Sequence, residues 1–408
     1  FHITDVSSII SGSSYVLIDP HARGYCDLPQ GQRGFKADFV KHNLVKKIDQ
    51  IKEMFETFFH VDNITCLMFL KYIEKISFYE IKKGETSPNL LYQIEVTNAK
   101  EIFDKKKLLA NNMISMIKSS PKFTTFETIY KMTFCQSSSQ CNIKSEWLII
   151  NYIADINYKN FVKFKKYIRD CKFVPNVGLA ARIDNMSKNK GKLYCFLPLP
   201  GYKNDFSVSV NGCFAALDDL LSLKSMWNRY LFEKVIPVTW EKFLSHVKKY
   251  ISFEQIYTLW PILANGSFWE LDEKDCLWID LLQKVINQFD PSLSVFCGPS
   301  KYLSINNGNL NDKKFDKSSV LLEILAKLEF PIFVNIPEPI VNKLEQDISK
   351  HKKLLNYVTP EKICKYIHAN LNRLNNLGRQ EKLILLEYVL KVNDASKLYG
   401  LPLLPLEN

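Results

Sequence analysis

No uninterrupted apolar run in the 408 residues approaches the roughly 18 to 20 that a membrane-spanning helix needs, the longest candidates being short pieces such as 66–70. A membrane role is therefore not expected. The ten cysteines contain no Cys-x-x-Cys pair and no tight framework, and a chain of this size can bury cores without cross-links, so reduced thiols in a cytoplasmic compartment are the expectation. Three Asn-x-Ser/Thr triplets, at Asn63, Asn185 and Asn265, arise often by chance and do not outweigh that pattern. No repeat of fixed period is found. Nothing resembles a zinc finger, an RNA-binding signature or a base-reading helix. The net charge of +11 accordingly reads as lysines on solvated helix faces, such as 45–59 and 160–169, and nucleic acid is not an expected partner. The chain opens on Phe1, which leaves a targeting peptide unaddressed.

What is present is ordinary globular material, 46% hydrophobic and 24% charged, with length for roughly two or three domains of ~150 residues. The stretch 191–237 organises the rest. Leu193 to Leu197 form an apolar run closed by Pro198 and Pro200, the pattern of a buried strand. A turn is expected over 201–205. Phe206, Val208 and Val210 then alternate with Ser207, Ser209 and Asn211, the period of a half-buried strand ended by Asn211-Gly212. Leu220, Leu223, Trp227, Tyr230 and Leu231 recur at helical spacing. Upstream, the periodicities predict helices at 43–59, 99–118 and 160–169 and strands at 76–81, 90–96, 125–134, 146–153 and 174–183. After Pro237 the patterns are mostly helical: 238–250, 253–260, 274–289, 320–328, 339–349, 360–374 and 379–390. The Asn- and Lys-rich segment 306–319 reads as a surface loop or a disordered connector.

The string Tyr194-Cys195-Phe196-Leu197-Pro198-Leu199-Pro200, then Val210-Asn211-Gly212 with Phe214-Ala215, then Trp227-Asn228 and Ile236-Pro237 resembles the repeated regions of the sacsin family. Those regions, also called Nov domains, are related to the GHKL ATPases of the ninety-kilodalton heat-shock type. Further pieces are similar to the same modules in the same order. They are His2-Ile3-Thr4-Asp5, Ile10-Ser11-Gly12, Asp19-Pro20-His21, Leu70-Lys71, Ile76, Tyr79-Glu80, Leu386-Glu387-Tyr388 and the Gly400-Leu401-Pro402-Leu403-Leu404-Pro405-Leu406 ending. The resemblance implies an α+β fold class in three parts: an incomplete GHKL ATPase-like α/β remnant at 1–87, a ribosomal-S5-domain-2-like α/β domain at 88–236, and a mostly helical region at 237–408. It also implies a chaperone-type activity, with non-native client proteins or other chaperones as partners.

In the family that this chain resembles, ATP is held by an asparagine-bearing helix, an Asp-x-Gly turn and a glycine-rich loop whose amides face the phosphates. None of the three is in this chain. A Gly-Thr strand expected between Asp19-Pro20-His21 and the helix near Asn43 is missing as well. No cofactor is therefore expected here; ATP with Mg would belong to a longer protein that carries those motifs, and catalysis is not assigned. A basic residue of the second domain reaches the γ-phosphate in related ATPases. The local candidates are Lys192, Lys203 and Lys224, and of these Lys192, with Asn211, is the cofactor-contact candidate; an exposed strand-start lysine and, for Asn211-Gly212, a turn with positive φ are the plainer readings. His21 with Cys26 and Asp19 lacks the paired ligands of a zinc site, so no metal is expected. Asp218-Asp219 reads as a solvated helix start. Trp227, Trp240, Trp260, Trp269 and Trp278 read as core anchors before they read as a peptide groove. A non-catalytic interaction scaffold is the alternative function.

Overall fold

A computed structural model describes residues 14–17, 67–70, 73–80, 87, 89–118, 125–138, 142–185, 191–195, 197–203, 207–217, 220–221, 225–262, 281–351, 355–392 and 394–403. The chain divides into two compact units, Phe1–Thr239 with Leu263–Cys276, and Trp240–Ile262 with Leu277–Asn408. The expected helix at 43–59 and most of the 1–87 remnant lie outside the described residues.

The first unit is built on a nine-stranded sheet of order β1-β2-β3-β4-β5-β6-β9-β7-β8. Its strands are β1 Ser14–Leu17, β2 Lys75–Glu80, β3 Asn89–Val96, β4 Phe126–Ser138, β5 Asn142–Ile153, β6 Asn176–Arg182, β7 Lys192–Cys195, β8 Leu197–Lys203 and β9 Ser209–Gly212. All neighbours are antiparallel except β7 and β9, which run parallel. Thr128, Tyr130, Met132, Phe134 and Gln136 alternate as buried residues along β4, the period of a strand with one covered face. Farther into the sheet, β5 from Trp147 to Ile153 and β6 from Asn176 to Ala181 are buried continuously. Continuous burial means both faces are covered.

One cover is α1, Ala99–Lys118, whose Ile102, Lys106, Ala110 and Met116 turn inward. Past the end of β3 the edge of β4 loses its strand partner, and the start of this helix supplies one. Asn98 Nδ2 donates to the Lys131 carbonyl at 2.9 Å, the Thr133 N–H donates to Asn98 Oδ1 at 2.9 Å, and Lys105 Nζ donates to the Ile129 carbonyl at 2.7 Å. Backbone groups that would otherwise lie bare at a sheet edge are thereby satisfied. Elsewhere in this unit, α2, Tyr158–Arg169, is capped by Asn157, which accepts from the Asn160 N–H. Its Phe164 packs with Trp227 and Tyr230, the ring centroids 5.5 and 5.0 Å apart.

Two expectations for the organising stretch are corrected. Pro198 and Pro200 do not close a strand: they lie within β8, and the reversal falls between Cys195 and Leu197. A proline lacks a donor and is tolerated where no neighbour asks for one, and β8 is the edge of the sheet. The helix expected from Leu220 begins later. Residues Ala216–Leu217 (β10) and Leu220–Leu221 (β11) form a small hairpin, and α3, Met226–Tyr230, starts behind the Ser225 cap. Asp218-Asp219 is outside the described residues. α3 runs through a single π turn, Leu231–Val235, into α4, Ile236–Val247. At the π turn the Ile236 N–H reaches the Leu231 carbonyl, and next in line is Pro237, with no N–H to donate, so the ladder widens there.

The second unit is mostly helical. A 3-10 segment, Phe253–Leu259, is closed by a capping box of Ser252 and Gln255. It is followed by α5, Leu281–Gln288, the hairpin β12 Phe296–Cys297 with β13 Tyr302–Leu303, α6 Ser318–Lys327, α7 Glu338–His351, α8 Pro360–Ala369 and α9 Arg379–Val389. Leu321, Ile324 and Leu325 of α6 meet Ile363 and Ile367 of α8 and Leu385 and Tyr388 of α9 in one core. The segment 306–319 is not a disordered connector but a loop on the surface that two buried apolar residues anchor in the core. Leu310 and Phe315 are buried to 4% and 3% exposure, Asn309 and Leu310 make bridges to Ile332 and Tyr357, and the Tyr388 hydroxyl donates to Asp312 Oδ2 at 2.9 Å.

Candidate functional site

Cross-strand partners point to the same side of a sheet, and the register places Thr128, Asn151, Gly178, Asn211 and Tyr194 in one row across β4, β5, β6, β9 and β7. The row is polar and shut away from solvent, with Asn151 and Asn211 each 3% exposed. Phe69 lies over it, its ring 5.0 Å from that of Tyr194. A Cβ on Gly178 would stand 2.7 Å from Asn151 Oδ1 and 3.0 Å from the Phe69 ring, so glycine is required by close approach. Asn151 Nδ2 donates to the Tyr130 hydroxyl at 3.3 Å, and burial pushes that phenol up to about 12, so it stays neutral. Thr128 Oγ1 and, one row along, Asn176 Oδ1 are buried with no hydrogen-bond partner.

Asn211 belongs to this face, and Lys192 lies two residues before Tyr194 at the start of β7. Asn211 is inside β9, and Gly212, its last residue, pairs with Val177, so the pair ends the strand as expected but the expected turn with positive φ is corrected to strand; the glycine is needed because a Cβ there would lie 2.9 Å from the Phe214 ring. Lys192 starts β7, half-buried, with its N–H donating to Ser209 Oγ at 3.3 Å. Lys203 stands opposite Lys192 in register. The row offers amides and a nearby cation, but Asn211 lies under packed side chains rather than in an open cleft. Lys224, Asp19, His21, Cys26, Trp269 and Trp278 are outside the described residues, while Trp227, Trp240 and Trp260 are fully buried core residues.

The residues 213–215, just past Asn211, are held by two side chains. Trp227 Nε1 donates to the Cys213 carbonyl at 2.7 Å. Asn228, fully buried, takes the Ala215 N–H on its Oδ1 at 2.7 Å and donates from Nδ2 to the Ala215 carbonyl at 2.9 Å. Between them Phe214 packs on Phe232, centroids 5.6 Å apart. Trp227 and Asn228 thus carry a structural part that spacing alone did not reveal; the adjacent Trp-Asn pair behind a strand was the one signal.

In the second unit a cavity of about 200 Å³ is lined in part by Phe253, Glu254, Cys297 and Asn335. The Cys297 thiol donates to the Phe253 carbonyl at 2.8 Å. Burial pushes it up to about 12, so it remains a protonated thiol and not a nucleophile. The Cys213 thiol is likewise raised by burial to about 12. Among the described residues no group of three His, Cys, Asp or Glu could hold a metal ion, and no helix is long and apolar enough to cross a membrane.

Across its whole length the chain is similar to human sacsin, at 23% identity over 492 aligned residues that take in 100% of this chain and 10% of sacsin. The chain therefore spans about a tenth of that relative's length. The alignment is longer than the 408 residues here, so sacsin carries residues inside the matched stretch that have no counterpart in this chain. No family model matches. No solved structure matches.

Proposed function

We propose that this chain is a sacsin-like, chaperone-type module that binds non-native polypeptide or another chaperone and does not itself turn over ATP. The observation that carries the reading is the similarity to sacsin along the whole chain. It is supported by where the shared-looking residues lie: Asn211-Gly212, Phe214, Trp227-Asn228 and Ile236-Pro237 make up a strand, a clamp and a π turn. That is the frame of a module and not a nucleotide pocket. The GHKL-like and S5-like parentage of the two α/β parts belongs to this proposal. The test is light scattering from a heat-aggregating protein in the presence of the purified chain. The chain at equal molar amount is expected to suppress the signal equally with and without Mg-ATP; no suppression at several-fold excess would overturn the reading.

A non-catalytic interaction scaffold is the second reading, favoured by the packed cover over Asn211. It predicts a stable complex with a native partner in size-exclusion chromatography and no effect on aggregation.

A further inference from the structure

The exposed face of α2 is charged with one sign. Lys159, Lys163, Lys165, Lys166 and Arg169 are all exposed, and the twelve-residue helix contains no acid. At the centre of the same face Val162 is 54% exposed. Solvated helix faces ordinarily mix signs, because like charges three or four residues apart destabilise the helix. Here Lys159 and Lys163, and Lys165 and Arg169, are like-charged at i,i+4, while Lys163 with Lys166 and Lys166 with Arg169 add the i,i+3 contacts. Lys159 also places a cation in the first turn, where the helix dipole favours an anion.

Some cations elsewhere among the described residues are paired with acids. Lys131 meets Glu146 at 3.0 Å, Arg182 meets Asp184 at 2.8 Å and Arg373 meets Glu329 at 2.7 Å. None of the five cations of α2 has an ion-pair partner among the described residues; Lys163 and Arg169 lie over Phe164 and Phe161 at 5.3 and 5.7 Å, and the acids next to the helix in the chain, Asp155 before its cap and Asp170 at its C-cap, stand at its two ends and not on this face. The apolar side of the helix is packed against Trp227 and Tyr230, so the cationic side is held in place by the core and not by its own electrostatics.

We infer that this face of α2 docks an acidic polypeptide segment, one that sets several Asp or Glu side chains around at least one apolar residue that covers Val162. Carboxylates on a peptide fit better than phosphates on a nucleic acid for two reasons visible here. The helix aromatics Phe164 and Tyr167 are engaged in ring contacts with Trp227, and Phe161 lies under the Arg169 guanidinium, so none of these three rings is an open platform of the kind that stacks bases. The exposed apolar centre has use for a hydrophobic side chain and none for a phosphodiester backbone. The inference goes beyond the chaperone reading and stands or falls without it, since an acidic segment can dock on a protein that suppresses no aggregation.

The test is fluorescence anisotropy of a labelled peptide, about as long as the helix, rich in Glu with interspersed Leu, titrated with the whole purified chain. Saturable binding that weakens as salt rises is expected. The double variant Lys163→Gln with Lys166→Gln is expected to bind about fivefold more weakly, as for the loss of two exposed ion pairs. The pair Lys313→Gln with Lys314→Gln, both exposed in the second unit, removes the same charge and should leave binding unchanged. Far-UV circular dichroism and the thermal midpoint of the α2 variant should match or exceed the wild type, since repulsion is relieved. Equal binding by wild type and the α2 variant, equal weakening by the control pair, or tighter and equally α2-dependent binding of single-stranded DNA or phosphatidylserine vesicles would each overturn the inference.

Discussion

Lys106 lies in α1 at only 8% exposure, its Nζ donating to the Leu70 carbonyl at 2.9 Å. Desolvation pulls it from 10.5 down to about 8, against the opposing charge of Glu74. Between about pH 8 and 10.5 the unfolded chain therefore holds a proton that the folded chain has released, and stability rises with pH across that window. A drop of that size corresponds to about 3 kcal/mol. Urea denaturation should show the rise in the wild type and its absence in Lys106→Met, which keeps the stem and removes the charge; at pH 7 that variant is expected to be more stable by about 1–3 kcal/mol. Identical pH slopes for the two proteins would refute the assignment. Asn228 gives a second test, because its two bonds to Ala215 occupy a donor and an acceptor at once. Asn228→Ala should cost about 2–3 kcal/mol by the same measurement, since it leaves both backbone groups of Ala215 without their partner. Asn228 was marked in advance only by its place in the Trp-Asn pair, and Lys106 hardly at all. Lys106 sits in a run of three lysines, and only the spacing from Ile102 to Ala110 hints that the middle one faces inward.

At the scale of elements, the period of apolar residues foretold most of the layout, and the misses have separate physical causes. The helix 99–118 and the strands near 76–81, 90–96 and 146–153 recur within a few residues of their expected bounds, because each is long enough for one period to dominate. The prolines of β8 misled because their tolerance depends on an edge position that only the sheet order reveals. The segment 306–319 misled because composition was read without its two anchors. Its Asn, Asp and Lys side chains do reach solvent or local partners, but Leu310 and Phe315 are inserted into the core, and Lys362 Nζ bonds Asn309 Oδ1 at 3.1 Å. Leu310→Ala is therefore expected to cost about 2–5 kcal/mol. An unanchored loop lying on the surface would lose under about 0.5 kcal/mol from the same change, and thermal denaturation separates the two outcomes. The candidate site was partly legible in the same sense: Lys192 and Asn211 do lie on neighbouring strands, yet the row of Thr128, Asn151 and Gly178 that surrounds Asn211 is drawn from strands far apart in the chain, which local spacing cannot connect.

At the scale of the whole molecule, the question is whether this chain, proposed above as a sacsin-like module, can bind a nucleotide by itself. A triphosphate needs a concave set of backbone N–H groups, cations free to approach it, and usually glycines that let it come close. The sequence has none of the glycine-rich or Asp-x-Gly pieces that would build that cradle. Of the two residues nearest in kind to such contacts, Asn211 is 3% exposed within β9, and Lys192 gives its backbone N–H, not its ammonium, to Ser209 Oγ. Bringing a phosphate to Asn211 would mean opening the cover formed by Phe69 over Gly178 and Tyr194, which exposes buried apolar surface at a cost of about 25 cal/mol per Å². Isothermal titration of the purified chain with Mg-ATP is accordingly expected to show no binding heat. A micromolar dissociation constant that survives in the variant Lys192→Ala would place a nucleotide site elsewhere in the chain, and one that is lost in it would place the site at the row itself; either result would refute the reading of this module as a frame without its own nucleotide.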